Sequence, residues 1–385
     1  MKKVMLLLFL CIVSLSGLAT ATVNAQGNTA SMAQNSKAAY LCDWRSGTEV
    51  FAKNATSHLP IASMCKIMTL NLCFEEIDSG RLSLEEELCV SENASSMGGS
   101  QVFLEAGGNY KVSELIKSIC IASANDSCVA MAERIAGSED AFVKKMNARA
   151  AELGMNDTSF VNCTGLPKTG QFSCARDVAA MLSALLHHEA YYGFSKIWME
   201  NFQHPEGRVT QMANTNKLIR SYQGCDAGKT GFTSEAGYCL AASAERGNMR
   251  IISVVMGEPD SKTRFNDVRE MFDFGFANYS SKAVLENNVM QNYYCDVTGG
   301  KQKYVSVKPE RGVYIFCKKD DADEIFYEVI FDPVKAPVDC GDVVGKIIVY
   351  KNNIEADRVN LLSNESVQKS NYFDSLQELV QNWNY

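Results

Sequence analysis

The chain has 385 residues, enough for two domains with sizeable cores. Its hydrophobic fraction of 46% and charged fraction of 21% are those of an ordinary globular protein. A formal net charge of −8 argues against the basic face a nucleic-acid partner requires, and that class is set aside.

Lys2 and Lys3 precede an apolar run from Val4 to Leu18, followed by Ala19-Thr20-Ala21 and Val23-Asn24-Ala25. This reads as a signal peptide over residues 1–25, cleaved after Ala25 or alternatively after Ala21. An uncleaved membrane anchor is the other reading, although the run is short for a span. Either way the protein is expected to be exported, working at the cell wall or the outer face of the cytoplasmic membrane. Residues 26–37 are rich in Ser, Ala and Asn and read as a flexible leader.

Ala38–Asp43 and Thr48–Lys53 flank Trp44-Arg45-Ser46-Gly47 and predict a β-hairpin. Ile67, Leu70 and Cys73-Phe74 stand at helical spacing within a long helix over 61–78. Further helices are expected over 115–122, 126–135, 141–153 (with Gly154 as its terminating glycine) and 175–187. Tyr238–Ala244 and Arg250–Met256 read as a second hairpin, and a helix from Ser261 to about Tyr279 closes this half. Strands, helices, then strands again predict an α+β domain over 38–279.

Beyond Ser280 only short alternating runs recur, at Tyr304–Val307, Val313–Phe316, Ile325–Val329, Val343–Tyr350 and Arg358–Leu361. They predict a small all-β, sandwich-like domain over 280–366. Residues 367–385 form a candidate amphipathic tail with Phe373, Leu376, Leu379, Val380 and Trp383 on one face. Its polar face carries Asp374 and Glu378 and no Lys or Arg, so attachment to a membrane surface and packing on the β domain both stay open.

Of the 14 cysteines, Cys11 lies in the signal. The others show no C-x-x-C pair and no metal-ligand spacing, and most sit in apolar runs as small hydrophobes. There are 4 histidines, no H-E-x-x-H, no G-x-S-x-G and no glycine-rich phosphate loop. His187-His188 reads as a helix end. No metal or organic cofactor is implied.

Serine and lysine motifs remain. Ser63 and Lys66 are almost one helical turn apart, so their side chains lie close, and a neutral lysine there can take the serine proton. Read alone, Ser63 is a helix cap and Lys66 a solvated lysine. Decoys exist: Ser366–Lys369 repeats the S-x-x-K spacing, Ser91-Glu92-Asn93 repeats S-x-N, and Lys168-Thr169-Gly170 repeats K-T-G. Context selects Ser123-Ala124-Asn125, in a short break between helices, and Lys229-Thr230-Gly231, leading into strands where an edge strand can pair with extended substrate. Lys168-Thr169-Gly170 lies in a loop, and the wall-sorting pattern it completes with Leu166-Pro167 is a coincidence at mid-chain.

The ordered set Ser63-x-x-Lys66, Ser123-x-Asn125 and Lys229-Thr230-Gly231 resembles the penicillin-binding proteins and serine β-lactamases. Pro60–Thr69, Ser96-Met97-Gly98-Gly99-Ser100, Ser123–Ala132, Phe160–Leu166, Gly228–Thr233 and Ala336–Gly345 narrow this to the low-molecular-mass serine D-alanyl-D-alanine carboxypeptidases. The similarity spans about 38–366. It implies a transpeptidase-like α+β fold followed by a β-rich domain, and a peptidoglycan pentapeptide as substrate, with β-lactams as covalent inhibitors. It further implies Ser63 as nucleophile, Lys66 as base and Ser123 as proton relay. Asn125 would bind the substrate amide, and Lys229 and Thr230 the terminal carboxylate. Gly231 completes that strand motif, and the Ser63 and Phe232 N–H groups would form the oxyanion hole. Cys65 and Phe232 depart from the family pattern, raising thiol chemistry beside the nucleophile and an altered substrate preference. A DD-endopeptidase or transpeptidase, a β-lactamase, and a non-catalytic wall-binding protein are the alternatives.

Overall fold

The computed structural model describes residues 32–374, apart from 289 and 291. The signal-peptide segment and most of the candidate amphipathic tail lie outside the described residues.

Five antiparallel strands form the central sheet, in the order Glu49–Lys53, Ala38–Asp43, Met249–Glu258, Gly237–Arg246 and Cys225–Thr233. Alternate side chains of its inner strands enter two different cores. Ala38, Tyr40 and Cys42, with Ile252 and Val254, face the helical half. Ala39 and Leu41, with Ile251 and Val255, face the Ser261–Asn278 helix. Burial on both faces explains why Ala38–Asp43 reads as an unbroken apolar run, not an alternating one. The two expected hairpins are present, and the edge strand carrying Lys229 is the fifth strand of the sheet.

The helical half is built around the Lys66–Asp78 helix, whose first nine residues are all buried. A helix enclosed on every side needs its polar groups satisfied internally. Accordingly Thr69 Oγ1 donates to the Cys163 carbonyl at 2.7 Å, and Asn71 Nδ2 to the Met181 carbonyl at 2.8 Å. Helices Val112–Ala122, Asn125–Ala136, Glu139–Glu152 and Ala175–Leu185 surround it. Gly154 follows the third of these at φ +71°, the left-handed stop its sequence position predicted.

Two expectations need correction. The leader is not free over its last residues: Met32 and Ala33 are buried against the sheet, and Lys53 Nζ holds the Ala33, Gln34 and Ser36 carbonyls at 2.8 Å each. The predicted helix over 61–78 is two pieces, a 3₁₀ turn Ala62–Cys65 and then the α-helix.

The β-rich half has its own core, including Val305, Val307, Ile347, Val349 and Leu361. It contains a six-stranded sheet and the two-stranded pair Tyr279–Leu285 with Val313–Lys318. All thirteen described cysteines are free, and all but Cys89 and Cys340 are buried.

Candidate active site

Ser63 sits in the 3₁₀ turn, and Lys66 opens the α-helix directly below it. The turn is pressed between two segments that admit only glycine. A Cβ on Gly165, at φ +82°, would lie 2.0 Å from the Ala62 carbonyl oxygen. A Cβ on Gly231 would lie 2.7 Å from the Ile61 carbonyl oxygen. Ala62 itself has φ +46°, a left-handed conformation that alanine rarely adopts and that the packing around it holds in place.

Lys66 is fully buried. Its Nζ lies 3.2 Å from Ser63 Oγ, 2.6 Å from Asn125 Oδ1 and 2.5 Å from the Thr164 carbonyl oxygen. Two of these partners, the amide oxygen and the carbonyl oxygen, can only accept. Together these contacts fix Nζ within reach of Ser63 Oγ. The reading of Lys66 as a solvated surface lysine is thereby overturned.

A second Ser–Lys pair stands opposite. Ser123 terminates the Val112–Ala122 helix at φ +63°, and Lys229 Nζ donates to its Oγ at 2.8 Å. Because Ser123 Oγ accepts from Lys229, its own hydrogen is available for another acceptor. Lys229 is buried, and that burial, reinforced by the nearby Lys66 charge, pulls its ammonium down to about 7. Asn125 opens the next helix, with Nδ2 donating to the Gly98 carbonyl at 2.7 Å and Oδ1 accepting from Lys66. Thr230 Oγ1 donates to Thr215 Oγ1 at 2.7 Å. Phe232 is 54% exposed, its ring 4.3 Å from that of Tyr238. A hollow of about 420 Å³ adjoins the turn, lined by Ile61, Ala62, Gly165–Gln171, Thr233 and Glu235.

Ser63, Lys66 and Asn125 are therefore linked by hydrogen bonds into one chain and Ser123 with Lys229 into a second, and Gly231 packs against the Ser63 turn. Two of the decoys are elsewhere, while the Lys168-Thr169-Gly170 loop lines the hollow beside the Ser63 turn. Ser91 caps a short helix by accepting from the Ala94 N–H, and Ser366 Oγ accepts from the Cys340 N–H in the β-rich half. The Cys65 thiol points into the core, donating to the Asn162 carbonyl at 3.3 Å, and burial pushes it far above the usual thiol range. Thiol chemistry beside the nucleophile is thus disfavoured.

Two participants were not found from sequence. One is the Thr164 carbonyl, a backbone atom that no motif encodes. The other is Arg264, buried beneath the edge strand, with Nη1 3.3 Å from the Gly231 and Cys239 carbonyl oxygens. Burial lowers its guanidinium to about 10. Its position, three residues after the first residue of the Ser261–Asn278 helix and 33 residues downstream of Gly231, is the only local signal. Among the described residues no group of three or more His, Cys, Asp or Glu side chains is placed to hold a metal.

A helical half on an antiparallel sheet, with Ser63–Lys66 and Ser123–Lys229 facing each other beside an edge strand, defines a penicillin-binding type of serine acyltransferase site. A D-alanyl-D-alanine carboxypeptidase family model matches residues 23–260, and a penicillin-binding protein 5 C-terminal domain model matches 279–369. The D-alanyl-D-alanine carboxypeptidase DacF of Bacillus subtilis (strain 168) is 37% identical over 386 residues, covering 100% of this chain and 99% of its own. DacC of Escherichia coli (strain K12) is 30% identical over 90% of this chain and 88% of its own. The crystal structure of penicillin-binding protein 5 from Haemophilus influenzae superposes with a TM-score of 0.67 at 28% identity, over 87% of this chain and 98% of that one. The chain belongs to the D-alanyl-D-alanine carboxypeptidase family. It is a serine hydrolase that removes the terminal D-alanine from peptides ending in D-alanyl-D-alanine.

Proposed function

We propose that Ser63 is the acylating nucleophile and Lys66 its general base. The observation that carries this reading is the Lys66 amine, fully buried and 3.2 Å from Ser63 Oγ with two acceptors on its other side. Ser63 Oγ attacks the carbonyl of the penultimate D-alanine as its proton passes to Lys66 Nζ. The backbone N–H groups of Ser63 and Phe232 receive the oxyanion. Collapse breaks the peptide bond, and Ser123 relays the proton held by Lys66 to the departing D-alanine amine, so that Ser123 keeps its hydroxyl and Lys66 returns to the neutral form. Lys229 supports this step by donating to Ser123 Oγ. Water then attacks the acyl-enzyme and releases the shortened peptide, with Lys66 again the base.

Asn125 orients the substrate amide, and Lys229 with Thr230 binds the terminal carboxylate. Phe232 leaves its N–H unaltered and places an exposed ring beside the cleft, where it bears on substrate preference. The substrate is the peptidoglycan pentapeptide, and β-lactams acylate Ser63 as covalent inhibitors. A Listeria monocytogenes penicillin-binding protein D2 solved in an ampicillin-bound form, similar over 63% of this chain at 30% identity, supports the latter. The signal pattern at the N-terminus and this substrate support an exported protein that acts in cell-wall biogenesis.

The test is D-alanine release from a soluble peptide ending in D-Ala-D-Ala. The wild-type chain is expected to release it, and Ser63→Ala to lose release and labelling by penicillin together. Labelling of Ser63 without release by the wild type would instead mark a transpeptidase or endopeptidase. A folded wild type that neither releases D-alanine nor takes label would mark a non-catalytic wall-binding protein.

A further inference from the structure

The Lys168-Thr169-Gly170 loop takes no part in the hydrogen-bonded chains around Ser63, yet the fold brings it to the nucleophile turn. With Thr233 and Glu235 it lines the hollow of about 420 Å³ that Ile61, Ala62 and Gly165 also line. Those three residues enclose the nucleophile as well: a Cβ on Gly165 would lie 2.9 Å from the Ser63 nitrogen. The hollow therefore opens directly beside the cleft.

Its walls are fixed before any ligand arrives, which lowers the cost of binding. Gln171 Oε1 accepts from the Val161 and Asn162 N–H groups at 3.0 Å each, and Nε2 donates to Asn162 Oδ1 at 3.1 Å, tying the loop down. On the strand side, Thr233 Oγ1 accepts from the Ala236 N–H at 3.0 Å and closes the turn that carries Glu235.

The hollow holds one charge of each sign. Lys168 and Glu235 are exposed, and among the described residues neither forms an ion pair. The Lys168 ammonium donates to the Val161 carbonyl at 3.3 Å, a neutral acceptor that leaves its charge uncompensated. Among the described residues the Glu235 carboxylate accepts no hydrogen bond. A ligand that satisfies both walls carries a carboxylate and an ammonium close together. One with an ammonium alone meets the Lys168 charge as a repulsion.

The direction of the substrate decides which of its residues arrives here. With its terminal carboxylate at Lys229 and Thr230 and its reacting carbonyl at the Phe232 N–H, an extended chain runs antiparallel to the edge strand. Each further residue advances it by about 3.4 Å, toward Thr233 and the Glu235 turn. The residue preceding the two D-alanines is the one that reaches the hollow.

We propose that this hollow is the subsite for the third residue of the stem peptide and selects a diamino diacid there. Lys168 pairs the free carboxylate at the far end of that side chain, and Glu235 pairs the free ammonium on the same carbon. The proposal rests on the active-site reading, which sets the direction of the chain. Both groups are free in a stem peptide that is not yet cross-linked, because the residue joins its neighbours through its other amino and carboxyl groups. A lysine at this place offers the ammonium alone.

The experiment is calorimetric titration of the full-length Ser63→Ala protein with three soluble pentapeptides that differ only at the third residue. These carry meso-diaminopimelate, the same residue with its free carboxylate amidated, and L-lysine. The first is expected to bind at least about threefold more tightly than either of the others. Adding Lys168→Gln should abolish that preference, and adding Glu235→Gln should weaken the diaminopimelate and lysine peptides alike. Absence of binding, equal binding of the three peptides, or a preference that survives Lys168→Gln would each overturn the proposal. Failure of the active-site reading shows separately, as D-alanine release that persists in Ser63→Ala, and the comparison of the three peptides still decides the subsite.

Discussion

Lys229 is buried beside a second lysine, Lys66. Burial and the neighbouring Lys66 bring its ammonium down to about 7, so near neutrality the free enzyme holds it partly uncharged. A substrate carboxylate pairs with the charged form only, so above pH 7 binding must take up a proton. The KM for a peptide with a free terminal carboxylate is therefore expected to rise between pH 7 and 9, at a limit of about tenfold per pH unit. A C-terminally amidated analogue should show no such rise, and steady-state kinetics on the two substrates check this. The residue types of this site were legible from spacing, since one helical turn brings Ser63 and Lys66 together whatever surrounds them. The Thr164 carbonyl and Arg264 were not, because each reaches the site only after distant segments have packed.

At the scale of elements, the nucleophile turn depends on a strand and a loop closing on it from opposite sides. Gly231 and Gly165 are the contact points, each with backbone where a Cβ would stand. Gly231→Ala puts that carbon 2.7 Å from the Ile61 carbonyl, and backbone cannot rotate away as a side chain can. Overpacking of this kind costs roughly 1–3 kcal/mol. Displacing the strand by about 1 Å from Ser63 is expected to slow acylation by roughly a hundredfold. Penicillin labelling rates and thermal melts of Gly231→Ala separate the two effects: labelling should fall far more than the melting temperature. The same closure explains why a single predicted helix over 61–78 is broken at its start, with Ala62 at φ +46°. The β-rich half shows a different gap. The strand Tyr279–Leu285 is not predicted, its first residue falling at the expected helix end, because its partner, Val313–Lys318, lies some thirty residues downstream and only that pairing makes it a strand.

The whole molecule has cores that scarcely mix. The catalytic half owns two, and the β-rich half one, with Phe316 reaching across to join the core on the Ser261–Asn278 helix. Phe316 stacks on Tyr279 with ring centres 5.0 Å apart. A chain ending after Ser280 should therefore fold and release D-alanine from a soluble peptide at a kcat/KM within about threefold of the full chain, with a somewhat lower melting temperature. Far-UV circular dichroism and the release assay would check it, and a truncated chain that folds but is inactive would mean the β-rich half shapes the cleft.

The sequence by itself determined the division into an α+β half and a β-rich half, most of the long helices and hairpins, and which serine and lysine side chains are candidates for the site. Those rest on local periodicity and short spacing, which the backbone enforces over a few residues. Only the tertiary structure decided that Lys66 is sealed from water, that Lys229 faces Ser123, and that Cys65 points away from the nucleophile. Each of these depends on burial by segments far apart in the chain, and burial, with the desolvation that comes with it, has no signature at the residue that experiences it.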